Sequence, residues 1–256
     1  MNPTAPRTTS QRKFKLIACD ILLREACFCI ARSKNIIDPV FMGKGLHSLC
    51  DGKMRELLQI EIDKVEPEKY DAILLGYGLC NNGTRDLHAA IPMVIPKAHD
   101  CITLLMGSKE KYRAFFDKNP GTYYLSPGWI ERNTDQYEGQ QTIPQQLGLN
   151  TYEEYVAKYG EEDAQYIMET LGGGLNQYSK LAYIDSGIGI FPEHEREASN
   201  RAAQSGWSYE KLEGNCDLMQ KLVDGDWPAD EFVVVGPGQS IKPTHGDDVI
   251  AARQMA

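Results

Sequence analysis

Short apolar blocks along this chain alternate with longer stretches in which apolar residues return every three or four positions. The blocks are residues 13–19 (KFKLIAC), 70–78 (YDAILLGYG), 91–96 (IPMVIP), 180–185 (KLAYID) and 231–238 (EFVVVGPG). Each is too short for a stable helix and is edged by Gly, Pro or Asp, which predicts buried strands. Weaker strands are expected at 39–42, 122–125 and 207–214. Helical spacing covers 21–33, the stretch after Asp51 that carries Met54, Leu57, Leu58, Ile62 and Val65, then 101–119, 191–206 and 216–225. The final residues are polar and are expected to fray.

Strand and helix therefore alternate, which predicts an α/β fold of mostly parallel sheet with helices on both faces. Residues 129–177 break the rhythm. They are rich in Gln, Glu and Tyr, helical in pattern, and end at Gly172-Gly173-Gly174. The expected organisation is a flexible tail (1–12), a first α/β lobe (13–128), a helical insertion (129–177), and a second, smaller α/β lobe with a polar tail (178–256). The lobes would face each other across a cleft. A single doubly wound sheet is the competing architecture.

The 256 residues carry a formal charge of −9. That balance disfavours nucleic acid and anionic membranes as partners. No apolar run is long enough to span a bilayer, and residues 1–12 lack the apolar stretch of a secretory signal. Seven cysteines, an odd number with no CxxC pair, fit reduced thiols in the cytoplasm.

Ligands of open α/β sheets bind beyond the carboxyl ends of the strands. Cys19-Asp20, Cys80-Asn81-Asn82-Gly83, His99-Asp100-Cys101 and Asp185-Ser186-Gly187 all fall at such ends. His99 and Cys101, two apart on an extended loop, point the same way. With Cys80 they make a three-ligand N/S set that suits zinc, and Cys19 is the candidate fourth ligand. Iron or an iron–sulfur cluster is the alternative occupant. Asp20, Asp100 and Asp185 are candidate acid–base groups, and backbone N–H groups of Asn81, Asn82 and Gly83 a candidate anion cradle. The plain alternative is that Cys80 and Cys101 pack as small hydrophobes. Cys27, Cys29, Cys50 and Cys216 fall in or beside helices and read as packing residues. His47, His194 and His245 lack ligand neighbours in the sequence. Trp129 and Glu131 are placed to line the cleft. Asp86-x-His88 matches part of a cobalamin-ligating motif, but Ile91 stands where that motif has Gly.

The segments KLIACD, GYGLCNNGT, PKAHDCITLLMGSKEKY and YYLSPGWIE resemble a bacterial and archaeal family known as domain of unknown function 1638. The resemblance covers most of the first lobe and places Cys80, His99 and Cys101 among the family's characteristic positions. Its members are often associated with corrinoid-dependent methyl transfer, which implies a corrinoid protein as a partner; a directly bound corrinoid is not expected. His99-Asp100-Cys101 with Cys80 is also similar to the zinc ligands of corrinoid:thiol methyltransferases, with the distant Cys before the pair. Three activities stay open: a zinc-thiolate transferase acting on a small-molecule thiol, a metal-dependent hydrolase or hydratase, and a non-catalytic metal- or cofactor-binding protein.

Overall fold

The computed structural model describes residues 11–49, 52–132, 178–244, 246 and 248–255, with isolated positions at 156, 160 and 161. Asp51, Cys50, His245, the tail before residue 11 and most of the 129–177 stretch lie outside the described residues. Among those described, no helix is long and apolar enough to cross a membrane.

The larger sheet has five strands: β1 (Lys13–Cys19), β2 (Ile36–Met42), β3 (Ala72–Gly76), β4 (Met93–Pro96) and β8 (Phe232–Val235). Their order is β2-β1-β3-β4-β8. The first four run parallel and β8 closes the edge antiparallel to β4. Strand β3 is buried at every position, as a strand covered on both faces must be. Strand β2 begins earlier than the sequence predicts, because Pro39 sits in an edge strand where a missing N–H is tolerated. A second, three-stranded parallel sheet joins β5 (Thr122–Leu125), β6 (Lys180–Asp185) and β7 (Ser208–Glu213).

The α/β class and the mostly parallel pairing are as expected, but the strands are shared out differently from a division at residue 128. Residues 122–125 join the second sheet and residues 232–235 return to the first. The sheets also share a core. Ala182 and Ile184 of β6 face the main core, while Leu181 and Tyr183 face a small cluster with Ala198 and Ala202 of α6 (Pro192–Gln204). That alternation is the two-residue period of a strand covered on both sides.

The helices complete the layers: α1 (Leu23–Arg32), α2 (Lys53–Asp63), α3 (Cys101–Met106), α4 (Lys109–Lys118), the short α5 (Pro127–Glu131), and α7 (Asp217–Asp224) beside α1. The helix expected over 101–119 is broken. Gly107 takes a left-handed φ of 73° and Ser108 then caps α4 by accepting the Lys111 N–H. The expected polar tail is instead a hairpin of β9 (Gln239–Pro243) and β10 (Ile250–Gln254). Fully buried Ile241 and Ile250 anchor it in the main core, an apolar signal too sparse to read as strands. The hairpin grips the loop after Cys80: Asp86 N–H donates to the Ile241 carbonyl at 2.7 Å, Ile241 N–H to the Leu87 carbonyl at 3.0 Å, and Lys242 pairs with Asp86.

Glu25 links the second sheet to α1. The Ser186 hydroxyl, just past β6, donates to Glu25 Oε1 at 2.6 Å, while buried Oε2 has no partner among the described residues. Burial raises the Glu25 pKa above its ordinary value, and Ser186 offsets this only in part. The carboxyl therefore stabilises the fold in acid, and that contribution is lost as pH rises through its folded pKa. Glu25→Gln is expected to raise stability by on the order of 1 kcal/mol at about pH 8, with the gain shrinking towards about pH 4. Urea midpoints at both pH values check this; an equal change at both would show that charge is not the cause.

Candidate metal and thiol centre

Three loops bring three thiols together. Cys19 is the last residue of β1, Cys80 follows β3 by four residues, and Cys101 opens α3 after β4. All three are buried. Backbone bonds hold the second and third loops side by side: Leu79 N–H donates to the Ala98 carbonyl and Cys80 N–H to the His99 carbonyl, both at 2.8 Å. Gly78 permits this approach, because a Cβ there would stand 2.7 Å from both the Ala98 oxygen and the Asp100 nitrogen. Thr84 closes the turn by donating its hydroxyl to the Gly78 carbonyl at 3.0 Å.

The turn is strained. Cys80, Asn81 and Asn82 take consecutive φ values of 48°, 53° and 64°. Asn tolerates the left-handed region, but Cys does not favour it, and each such residue costs roughly 1 kcal/mol or more. Asn81 and Asn82 are exposed, and the Gly83 N–H is already donated to the Cys80 carbonyl at 2.9 Å. The expected anion cradle thus has one of its three donors engaged.

The thiols lie within electrostatic reach of one another. Burial pushes the Cys19 pKa up to about 12, with Asp20 adding to it. It raises Cys80, helped by Asp100 and Cys19, and lifts Cys101 well above the thiol range, helped by Asp100, Cys19 and Cys80. All three are therefore neutral thiols at physiological pH, and none is an activated nucleophile without a nearby cation.

The imidazole beside them is not the expected one. His47, in the short 3-10 turn Lys44–Ser48, places Nε2 3.6 Å from Cys19 Sγ. Burial lowers its pKa to about 4, which leaves it neutral with a lone pair available. Its ring stacks at a tilt on Tyr77, centroids 6.2 Å apart. His99, by contrast, is exposed. It lines a separate open cleft of about 930 Å³ with Lys97, Asp100, Thr103, Tyr112 and Phe116. The structure does not bring the His99 side chain to the thiols, because the carbonyl of His99 faces Cys80. The strand-end rule contained the signal for His47. Strand β2 runs parallel to β1 with Met42 opposite Cys19, so the residues after β2 must lie beside Cys19.

The three aspartates divide. Asp20 Oδ1 lies 4.0 Å from Cys19 Sγ and accepts the Lys44 N–H at 2.8 Å; burial raises its pKa. Asp100 caps α3 by accepting the Ile102 N–H at 2.9 Å and takes a long bond from the Tyr112 hydroxyl at 3.4 Å. Burial raises its pKa as well. Asp185 ends β6 in the other sheet, where it pairs with Lys211 at 3.1 Å and accepts the Gly187 N–H.

Trp129 covers the centre from α5. Its buried indole N–H has no hydrogen-bond partner among the described residues, yet it lies close enough to Cys101 to favour a thiolate there. Lys44 holds this lid, with Nζ donating to the Trp129 carbonyl at 2.9 Å and standing 5.4 Å from the ring centroid. Glu131 is occupied by a two-pronged bond from Arg24 at 2.7–2.9 Å.

Residues 41–223 match the profile of one protein family, described as protein of unknown function (DUF1638). The chain belongs to that family. The matched span includes His47, Cys80, His99 and Cys101 and begins after Cys19. No curated protein and no solved structure matches the chain.

Proposed function

We propose that the chain is a metal-dependent enzyme whose centre is Cys19, Cys80, Cys101 and His47, with zinc as the fitting ion. The observation that supports this is the convergence of three buried thiols and a neutral imidazole at the ends of four strands. Thiolate and imidazole donors suit zinc, whose positive charge offsets the burial that keeps the thiols protonated. Among the described residues, no three His, Cys, Asp or Glu side chains already stand in ion-holding geometry. Binding therefore requires the donors to draw closer together and the thiols to lose their protons. With all four donors engaged the set is that of a closed structural site; with three, one position stays open for a substrate.

The reaction proposed for the open form is activation of a substrate thiol for methyl transfer. The ion would supply the charge that lowers the pKa of the arriving thiol. The link to a corrinoid protein rests on the family resemblance. Trp129 lies beside Cys101 and Tyr77 beside His47, and Lys44 holds both Asp20 and the Trp129 backbone. A hydrolase or hydratase is the second reading, favoured by Asp20, whose carboxyl stands beside Cys19 with a raised pKa.

Metal analysis after oxygen-free purification tests the centre. One equivalent of ion is expected in the wild type and in His99→Ala, with loss in Cys80→Ser and in His47→Ala. Equal ion content in all four proteins, or none in the wild type after reconstitution with zinc, would sink the proposal. Cobalt substitution separates the readings. A change in thiolate-to-cobalt absorption on adding a small thiol supports thiol activation, and an unchanged spectrum with every thiol tried removes it.

A further inference from the structure

Two more thiols meet outside this centre. Cys29 lies fully buried on the inner face of α1, and Cys216 is the half-buried residue that precedes α7. The two helices pack together, and each thiol falls within electrostatic reach of the other. Cys29 Sγ also reaches the Cys216 carbonyl oxygen at 3.9 Å. Gln220 fixes both ends: its backbone N–H donates to the Cys216 carbonyl at 2.7 Å and its side-chain amide to the Cys29 carbonyl at 3.3 Å. Cys27, two residues from Cys29, is exposed on another face and has no share in this contact.

Packing alone explains a buried Cys29. It does not explain a second thiol, itself half-buried, on the residue that Cys29 touches at the start of the facing helix. That arrangement has an entering sulfur and a resolving sulfur, which is what thiol–disulfide exchange requires. We propose that Cys29 and Cys216 form a redox-active dithiol that exchanges with small-molecule disulfides, with Cys216 entering and Cys29 resolving.

The Cys216 thiolate attacks one sulfur of the external disulfide. That S–S bond breaks, one external thiolate leaves, and a mixed disulfide remains on Cys216. Cys29 then gives up its proton to the departing thiolate and attacks the Cys216 sulfur, releasing the second external thiol. The protein has lost two electrons and two protons, and the external disulfide has become two thiols. Burial sets this order, since Cys29 is fully buried and only the half-buried Cys216 is open to an external disulfide. The resulting bond would clamp α1, which leads directly from Cys19 and Asp20, onto α7.

The test uses the full chain as purified, reduced, and incubated with excess oxidised glutathione. The mixture is quenched in acid, alkylated and mapped by peptide mass spectrometry. The expected product is a Cys29–Cys216 cross-linked peptide, lighter by two hydrogens and reversed by dithiothreitol. Cys29→Ser should stop at glutathione on Cys216, and Cys216→Ser should leave Cys29 unmodified. A wild-type product carrying glutathione on Cys216 without the cross-link would overturn the proposal. So would no reaction at either residue, or a first disulfide among Cys19, Cys80 and Cys101. The wild-type result decides the matter without the variants, and it does not depend on whether the other centre binds an ion.

Discussion

Gly128→Ala is expected to destabilise the protein by about 3 kcal/mol and to uncover the thiol centre. A Cβ at Gly128 would stand 1.8 Å from the Ile21 carbonyl oxygen. The obstructing group is backbone, in the 3-10 turn Asp20–Leu22, and the added Cβ is fixed to the backbone of α5, so neither yields by a rotamer change. The two elements must separate. Trp129, the next residue, would then move off Cys101, and Lys44 would lose its acceptor on the Trp129 carbonyl. Urea unfolding gives the stability change. Tryptophan emission and the rate of Cys101 alkylation in the folded protein report the opening. A variant with wild-type midpoint and an unchanged alkylation rate would show that α5 does not seal the centre.

Leu74→Ala is expected to cost as much or more, about 3–4 kcal/mol, for a different reason. Leu74 is wholly buried in the middle of β3, in register with Leu16 on one side and Val94 on the other. The strand is short and covered on both faces, so the cavity cannot collapse by shifting one edge. The same strand delivers the Cys80 turn, whose strained backbone is held by its neighbours. Loss of packing in β3 should therefore also raise the alkylation rate of Cys80 below the unfolding midpoint. A loss under about 1 kcal/mol would mean that the surrounding helices relax into the space far more than close packing allows.

Part of the candidate site was legible in the sequence. The strand-end rule placed Cys19, Cys80 and Cys101 together, and their loops do converge on one another. The same rule failed for His99. It says where a loop lies but not which way each side chain turns, and the 98–100 loop spends the His99 carbonyl on Cys80 while its ring faces a separate cleft. His47 has no ligand neighbour in sequence; its neighbour, Cys19, comes from another strand. Cys29 and Cys216 read as packing residues on their separate helices, and only the meeting of α1 with α7 puts them in contact.

The sequence by itself determined the α/β class, nearly every central strand and the identity of the three clustered thiols. Those features follow from local periodicity and from the chemistry of side chains at strand ends. Tertiary structure alone decided which strands share a sheet, that residues 239–254 form a hairpin, and which imidazole lies beside Cys19. Strand partnership depends on packing between residues far apart in the chain, and no local pattern encodes it. His47, and not His99, stands beside one of the three thiols, because parallel pairing of β1 with β2 carries it to Cys19.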